Sequence, residues 1–260
     1  MKQYIVDAFT DKVFRGNQAA VCVMDSWPED QLMIDIAVEN NFSETAFLVR
    51  EEPGIYSLRW FTPGGEIDLC GHATLASAFT VLNYIEPGAE KVTFRTKWSG
   101  ELYITRDGDF FNMDFPVYEY KSVPVTDAMA EACGVRPVEA VMARDLLMVL
   151  PSEEDVVNCV GETSKMMALD GVCQCVTAAG SGEFDCVSRV FVPKLAVPED
   201  PVTGSSHCLI TPYWLDKTGK TSLNCFQASK RSGVLKTRRE GDRIILSGQA
   251  ALFSIAELFV

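Results

Sequence analysis

Histidine and positive charge are what this sequence has least of. Its 260 residues include two histidines, and 23 Lys and Arg stand against 36 Asp and Glu, a net charge of −13. So few basic residues exclude a phosphate-tracking nucleic-acid surface and an anionic membrane surface as partners. An acidic metabolite must then be held by local features, because the global field repels it. No uninterrupted apolar run approaches ~18 residues, so no membrane-spanning helix is expected. Asp7 and Asp11 interrupt the apolar start before a signal-peptide core can form, and a cytoplasmic chain is the expectation. A pattern of paired cysteines is also missing. The nine cysteines are irregularly spaced, mostly in apolar strings such as Val21-Cys22-Val23, and Cys173-Gln174-Cys175 has no histidine nearby. They read as reduced, buried, small hydrophobes, with neither a disulfide framework nor a metal site expected.

With 47% apolar and 23% charged residues, the composition is that of a globular chain with ample core. Tyr4 to Ala8, Ala19 to Val23, Thr45 to Val49 and Tyr56 to Phe61 are rich in β-branched and aromatic residues and read as strands. Val92 to Thr96, Leu102 to Arg106 and Phe110 to Phe115 follow, with Asp107-Gly108 as turn chemistry. Pro28 opens a helix reaching Glu39, and Gly71 to about Tyr84 is a second, apolar and small-residued on nearly every side. A third helix is expected near Glu153 to Ala168 and a fourth from Gly204 to about Leu215.

The chain reads as a duplication. Arg59-Trp60-Phe61-Thr62-Pro63 returns 130 residues later as Arg189-Val190-Phe191-Val192-Pro193. Ser99-Gly100-Glu101-Leu102 returns 133 residues later as Ser232-Gly233-Val234-Leu235, so one three-residue insertion separates the copies. On that spacing Glu44 corresponds to Gln174, a carboxyl in one half and an amide in the other. The fold expected is α+β, in two pseudo-symmetric halves, each a β-barrel-like antiparallel sheet wrapped around a central helix. Residues 1–116, with a returning C-terminal strand 248–260, form the first half, and residues 117–247 the second.

Each histidine stands where a central helix begins. The first motif is Asp68-Leu69-Cys70-Gly71-His72-Ala73-Thr74; the second is Glu199-Asp200-Pro201-Val202-Thr203-Gly204-Ser205-Ser206-His207. Small residues at a helix start allow a ligand to reach free backbone N–H groups, and the helix dipole favours an anion there. Any single start could equally be plain capping. Two matching starts point to a clamp for a small carboxylate in a cleft shared by the halves. Glu44, between apolar neighbours at the start of a strand, could be an exposed edge residue. Burial would instead raise its pKa toward the range of a general base.

At Ser43-Glu44-Thr45-Ala46-Phe47, Gly71-His72-Ala73-Thr74-Leu75 and Asp200-Pro201-Val202-Thr203-Gly204-Ser205 the sequence resembles the PhzF-like phenazine-biosynthesis isomerases. Gly16-Asn17-Gln18-Ala19-Ala20-Val21 resembles that family too, although Pro is commoner where Gln18 stands. The resemblance runs along essentially the whole chain. It implies a diaminopimelate-epimerase-like fold, a homodimer, no cofactor and no metal. It also implies Glu44 as the catalytic acid/base with His72, Asp200 and Ser205 as its partners. Gly71, Ala73, Gly204 and Asn17 would line the substrate. The implied reaction moves a proton and a double bond in a small anionic carboxylate. A racemase or epimerase using Glu44 and Cys70, and a non-catalytic binding or regulatory module on the same fold, are the alternatives. The two-thiol chemistry of the related epimerases is disfavoured, because the second motif holds no cysteine and Cys208 falls inside the following helix.

Overall fold

In a computed structural model that describes all 260 residues, two units carry the chain. The first comprises Met1–Asp114 and Ser247–Val260, the second Phe115–Leu246. Elements of the first stretch are β1 (Lys2–Ala8), β2 (Asn17–Met24), α1 (Asp30–Asn40), β3 (Thr45–Glu52) and β4 (Ile55–Thr62). They continue with β5 (Gly65–Ile67), α2 (Gly71–Thr80), β6 (Lys91–Thr96), β7 (Glu101–Asp107) and β8 (Phe110–Pro116). Next come β9 (Lys121–Ser122), α3 (Asp127–Cys133), β10 (Glu139–Met142), β11 (Leu146–Val149), α4 (Glu153–Val157) and α5 (Thr163–Ala168). Then follow β12 (Gln174–Ala179), β13 (Cys186–Val192), β14 (Val197–Asp200), α6 (His207–Thr218) and β15 (Ser222–Gln227). The last three strands are β16 (Gly233–Glu240), β17 (Arg243–Gly248) and β18 (Ala250–Glu257).

The fold is α+β, and its sheets are mixed where alternation alone suggested antiparallel pairing. In the first unit β1 and β2 are antiparallel, β2 and β3 parallel, β3 and β4 antiparallel, β4 and β6 parallel, and β6 and β7 antiparallel. The second unit repeats this order through β10, β11, β12, β13, β15 and β16. A parallel step needs a crossover, and the helices sit in those crossovers. α1 joins β2 to β3, α2 joins β4 to β6, and α6 joins β13 to β15. β18 pairs antiparallel with β1 and completes the first unit.

One ion pair marks the repeat in side chains. Arg59 grips Glu66 with two hydrogen bonds of 2.6 Å and lies over the Phe61 ring at 5.1 Å. Arg189 grips Glu199 with bonds of 2.7 and 2.9 Å and lies over Phe191 at 5.0 Å. Glu66 is seven residues beyond its arginine and Glu199 is ten, so the three-residue insertion lies between β13 and β14. A 3-10 turn, Pro193–Leu195, fills it.

Strand register corrects the correspondence of Glu44. Thr45 faces Phe61 across β3 and β4, and Gln174 faces Phe191 across β12 and β13. Thr45, not Glu44, is therefore the counterpart of Gln174, and Glu44 corresponds to Cys173. A slip of one residue turns a strand side chain to the opposite face. Gln174 instead donates to the carbonyls of Asp170 and Gly171, holding the turn that leads into β12.

α2 is buried along almost its whole length, from His72 to Thr80. Its hydroxyls tolerate this because Thr74, Ser77 and Thr80 donate to the carbonyls of Cys70, Ala73 and Ala76 at 2.6–2.8 Å. The helix then loosens into a π turn over Val81–Ile85. α6 is buried from His207 to Leu215 in spite of Pro212. Pro212 has no N–H for the Cys208 carbonyl, and Tyr118 N–H supplies one at 3.0 Å. α6 begins at His207, three residues later than the glycine suggested, because Gly204 to Ser206 form a turn. The expected helix over 153–168 is split into α4 and α5 near Gly161, whose φ is +58° and whose absent Cβ would lie 2.1 Å from the Phe191 ring.

Gly16, just before β2, has φ of +64°, and a Cβ there would lie 2.1 Å from the Ala8 carbonyl oxygen. Gly16→Ala must shift backbone as well as adopt a left-handed conformation. A loss of about 1–3 kcal/mol is expected in urea unfolding. An unchanged midpoint would show that the β1–β2 turn yields freely.

Candidate active site

Unit one places four of the expected residues together. Glu44 immediately precedes β3, Asn17 opens β2, and Gly71 and His72 open α2. β2 and β3 are adjacent parallel strands, and α2 packs on both, so the topology brings these starts into one place. Glu44 Oε2 lies 3.1 Å from His72 Nε2, with the side chains 17% and 7% exposed. The contact is an ion pair off the N–H line: Oε2 is buried and accepts no hydrogen bond. Asn17 Nδ2 sits 3.1 Å from His72 Nδ1 and orients the ring. Cys70 Sγ is 3.5 Å from Nδ1 and 3.9 Å from Nε2. Ala73 is wholly buried beside them.

The electrostatics differ from the expectation of a raised carboxyl. Burial pushes the Glu44 pKa up, but the His72 charge and the polar contacts of His72, Ser43 and Cys70 together hold it below the ordinary value. Burial also opposes a charge on His72, while Cys70 and Glu44 favour it, and the balance lies well above the usual imidazole range. Burial, with Glu44 nearby, raises the Cys70 thiol. The neighbouring His72 thus favours the ionised form of Glu44, and Glu44 in turn favours a protonated His72. The ionised form is the one a general base needs, while the cation beside it lowers its basicity.

In unit two the motif from Glu199 to Ser206 is fixed by residues that sequence reading passed over. Gln227 is buried; it accepts from Thr203 N–H at 2.9 Å and donates to the Asp200 carbonyl at 2.8 Å. Asp200 Oδ2 accepts from the Thr203 hydroxyl. Asp145 has no exposed surface, and Arg144 clasps it through two bonds of 2.9 and 2.8 Å. Arg144 also donates to Ser205 Oγ at 3.0 Å, and Ser206 donates to Asp145 at 2.9 Å. The start of α6, with Gly204 and Ser205, therefore rests on a charged pair between β10 and β11. The available signal was Arg144-Asp145 interrupting two apolar strands.

The chain matches known proteins along nearly its whole length. The family model described as phenazine biosynthesis-like protein matches residues 6–256. The chain belongs to that family. It is 43% identical over 248 residues, 95% of each chain, to a protein of Pseudomonas aeruginosa described as an uncharacterized isomerase. A crystal structure of a PhzF-family protein from Enterococcus faecalis covers 100% of this chain and 99% of its own, at 44% identity and a TM-score of 0.96. Likeness of fold alone extends to a hydroxyproline epimerase from Agrobacterium vitis, at 11% identity and a TM-score of 0.62 over 99% and 90% of the chains. This phenazine biosynthesis-like protein is an isomerase.

His207, the family chain's second histidine, serves structure. It is wholly buried; Nδ1 donates to the Thr203 carbonyl at 2.8 Å, and Nε2 has no partner. Burial lowers its pKa to about 4 from 6.5, although the Thr203 bond works the other way. Between those values the unfolded chain binds the extra proton, so stability is complete above about pH 6.5 and is lost as pH falls to about 4. The loss attributable to His207 is about 3 kcal/mol. Urea unfolding of the native chain and His207→Gln from pH 7 to 4 checks this: the variant should lack that portion of the acid slope. Parallel slopes would disprove it.

Proposed function

We propose that the protein is a cofactor-independent isomerase in which Glu44 takes a proton from one carbon of a small, unsaturated carboxylate and returns it to another. The observation that supports this most is the Glu44–His72 ion pair at the start of buried α2, with one Glu44 oxygen lacking a hydrogen bond. As the C–H bond breaks, its electron pair moves into a new double bond and the proton moves to Glu44. The old double bond then takes that proton at its far end, so nothing is oxidised or reduced. His72 holds the carboxylate ionised beforehand and offsets charge as it changes. Backbone N–H groups from Gly71 to Ala73 are the proposed holders of the substrate carboxylate. Asp200 and Ser205 remain proposed substrate-holding groups, and Arg144 and Gln227 keep their segment in place.

Epimerisation by Glu44 and Cys70 is the second reading, because Cys70 lies so near the pair. Acid and base must then flank one carbon, each about 3 Å away on opposite faces, which requires roughly 6 Å between them. The Glu44 oxygen and Cys70 sulfur are within 4.8 Å, which weighs against it.

Incubation with a panel of small unsaturated carboxylates in heavy water, followed by NMR, is the test. Deuterium should enter at the carbon that gains a proton, with the double bond displaced. Cys70→Ser should keep exchange within about tenfold, and His72→Ala and Asp200→Asn should fall further, since they set up the base and the substrate. Inversion at a saturated α-carbon, abolished by Cys70→Ser, would replace this reading with the epimerase.

A further inference from the structure

We propose that Arg144, together with Ser205, is a specificity-determining residue that holds an oxyanionic group of the substrate. The repeat locates it. Ile67 faces Trp60 and Asp200 faces Val190, so counting on from each, His72 corresponds to Ser205. Ala20 faces Thr45 and Leu146 faces Gln174, which makes Ala143 the counterpart of Asn17 and Arg144 that of Gln18. With Cys173 in the place of Glu44, the second unit repeats the positions of the Glu44–His72–Asn17 cluster without its chemistry. Burial, and then the Asp145 charge, pushes the Cys173 thiol up to about 12, so it is no substitute for a carboxylate base. What the second unit has instead is a cation, where the first has the neutral Gln18.

The guanidinium is committed on one side. Nε and Nη2 hold Asp145 at 2.9 and 2.8 Å, and Nη2 also reaches Ser205 Oγ at 3.0 Å. Nη1 donates to no group of the protein, and the side chain is 35% exposed. The Tyr118 ring covers one face, with Cζ 5.1 Å from its centroid. Asp145 and Tyr118 therefore fix the group beforehand, and a ligand meeting Nη1 costs little further side-chain entropy. Ser205 Oγ accepts from Arg144, so its own proton is free for the same ligand. A charged donor beside a hydroxyl suits a carboxylate, and a chain of net charge −13 needs a local cation to hold one. The role rests on the reading that Ser205 touches substrate. Gly71 to Ala73 are assigned one carboxylate in that reading, so Arg144 takes a second, and the substrate class narrows to small unsaturated dicarboxylates.

Succinate and its monoamide, succinamate, are the probes, followed by NMR of the arginine Nε–H groups. The Arg144 signal is assigned by its loss in Arg144→Lys. Expected are a saturable shift of that signal and an affinity for succinate at least about tenfold above that for succinamate. Arg144→Gln should remove the preference, Arg144→Lys should keep part of it, and Ser205→Ala should weaken succinate by about threefold or more. In the exchange assay Arg144→Gln should raise KM for a dicarboxylate by at least about tenfold, with kcat within about threefold. A residue that merely anchors Ser205 would weaken acid and amide equally, so an acid preference that survives Arg144→Gln, or is missing from the native chain, overturns the proposal. Urea unfolding checks each fold. If Arg144→Gln does not fold, Arg144→Lys and Ser205→Ala carry the test, and an undiminished preference in both overturns it. A preference that depends on Arg144, with exchange that survives Glu44→Gln, would refute the acid/base reading and leave the subsite. Glu44-dependent exchange with no part for Arg144 would do the reverse.

Discussion

Glu44→Gln should lower deuterium exchange into substrate by at least ~100-fold while the chain stays folded. The amide has nearly the same volume and can still lie against His72, 3.1 Å from the native carboxylate oxygen. It cannot accept a proton at neutral pH, so the chemical step loses its base and binding is largely kept. The reduction should appear in kcat, with KM little changed. Burying a neutral amide in place of the carboxylate also releases His72 from its ion pair and lets the ring lose its proton. The check is the NMR exchange assay run on variant and native chain side by side, with urea unfolding to confirm the fold. A variant that exchanges at the native rate excludes Glu44 as the base, whatever else the cluster does.

The legible part of the fold followed from local chemistry. Asp107-Gly108 gives the β7–β8 turn, and the small-residued stretch after Gly71 gives a buried helix. The duplicate Arg59 and Arg189 segments are matched in space by matching clasps on Glu66 and Glu199. What failed was counting across loops. One residue more separates Gln174 from Phe191 than separates Thr45 from Phe61, and nothing local announces an added loop residue. Parallel steps were equally hidden, since alternation reports which face is buried and not the direction of the neighbouring strand. Of the site, Glu44, Asn17, Gly71 and His72 were readable as motif residues and meet at the starts of neighbouring elements. Gln227 and the Arg144–Asp145 pair were not, because their partners lie far along the chain: Gln227 reaches back to Asp200 and Thr203, Arg144 forward to Ser205. His72 and His207 looked equivalent in sequence. The polar partners Glu44 and Asn17 make one a charged member of the site, and their absence leaves the other neutral in the core.

Asp145→Ala should cost about 3–5 kcal/mol, the usual scale for breaking a buried pair on one side. Its carboxylate has no exposure and accepts four hydrogen bonds: two from Arg144, one from the Ser206 hydroxyl and one from Cys173 N–H. Alanine leaves the last two without a buried acceptor, each costing about 1–3 kcal/mol. Arg144 loses less, because its side chain is 35% exposed and water can reach it, so the total should fall short of the sum. Released from Asp145, Arg144 no longer presents its guanidinium to Ser205 Oγ at 3.0 Å. The start of α6 then loses its two side-chain anchors together. Asp145→Asn keeps one acceptor oxygen but turns an NH₂ group toward Arg144 or Ser206, and should lie between alanine and native. Urea unfolding at pH 7 measures all three. A loss below about 1 kcal/mol for Asp145→Ala would mean that the Arg144–Asp145 pair is not what holds Gly204 to Ser206.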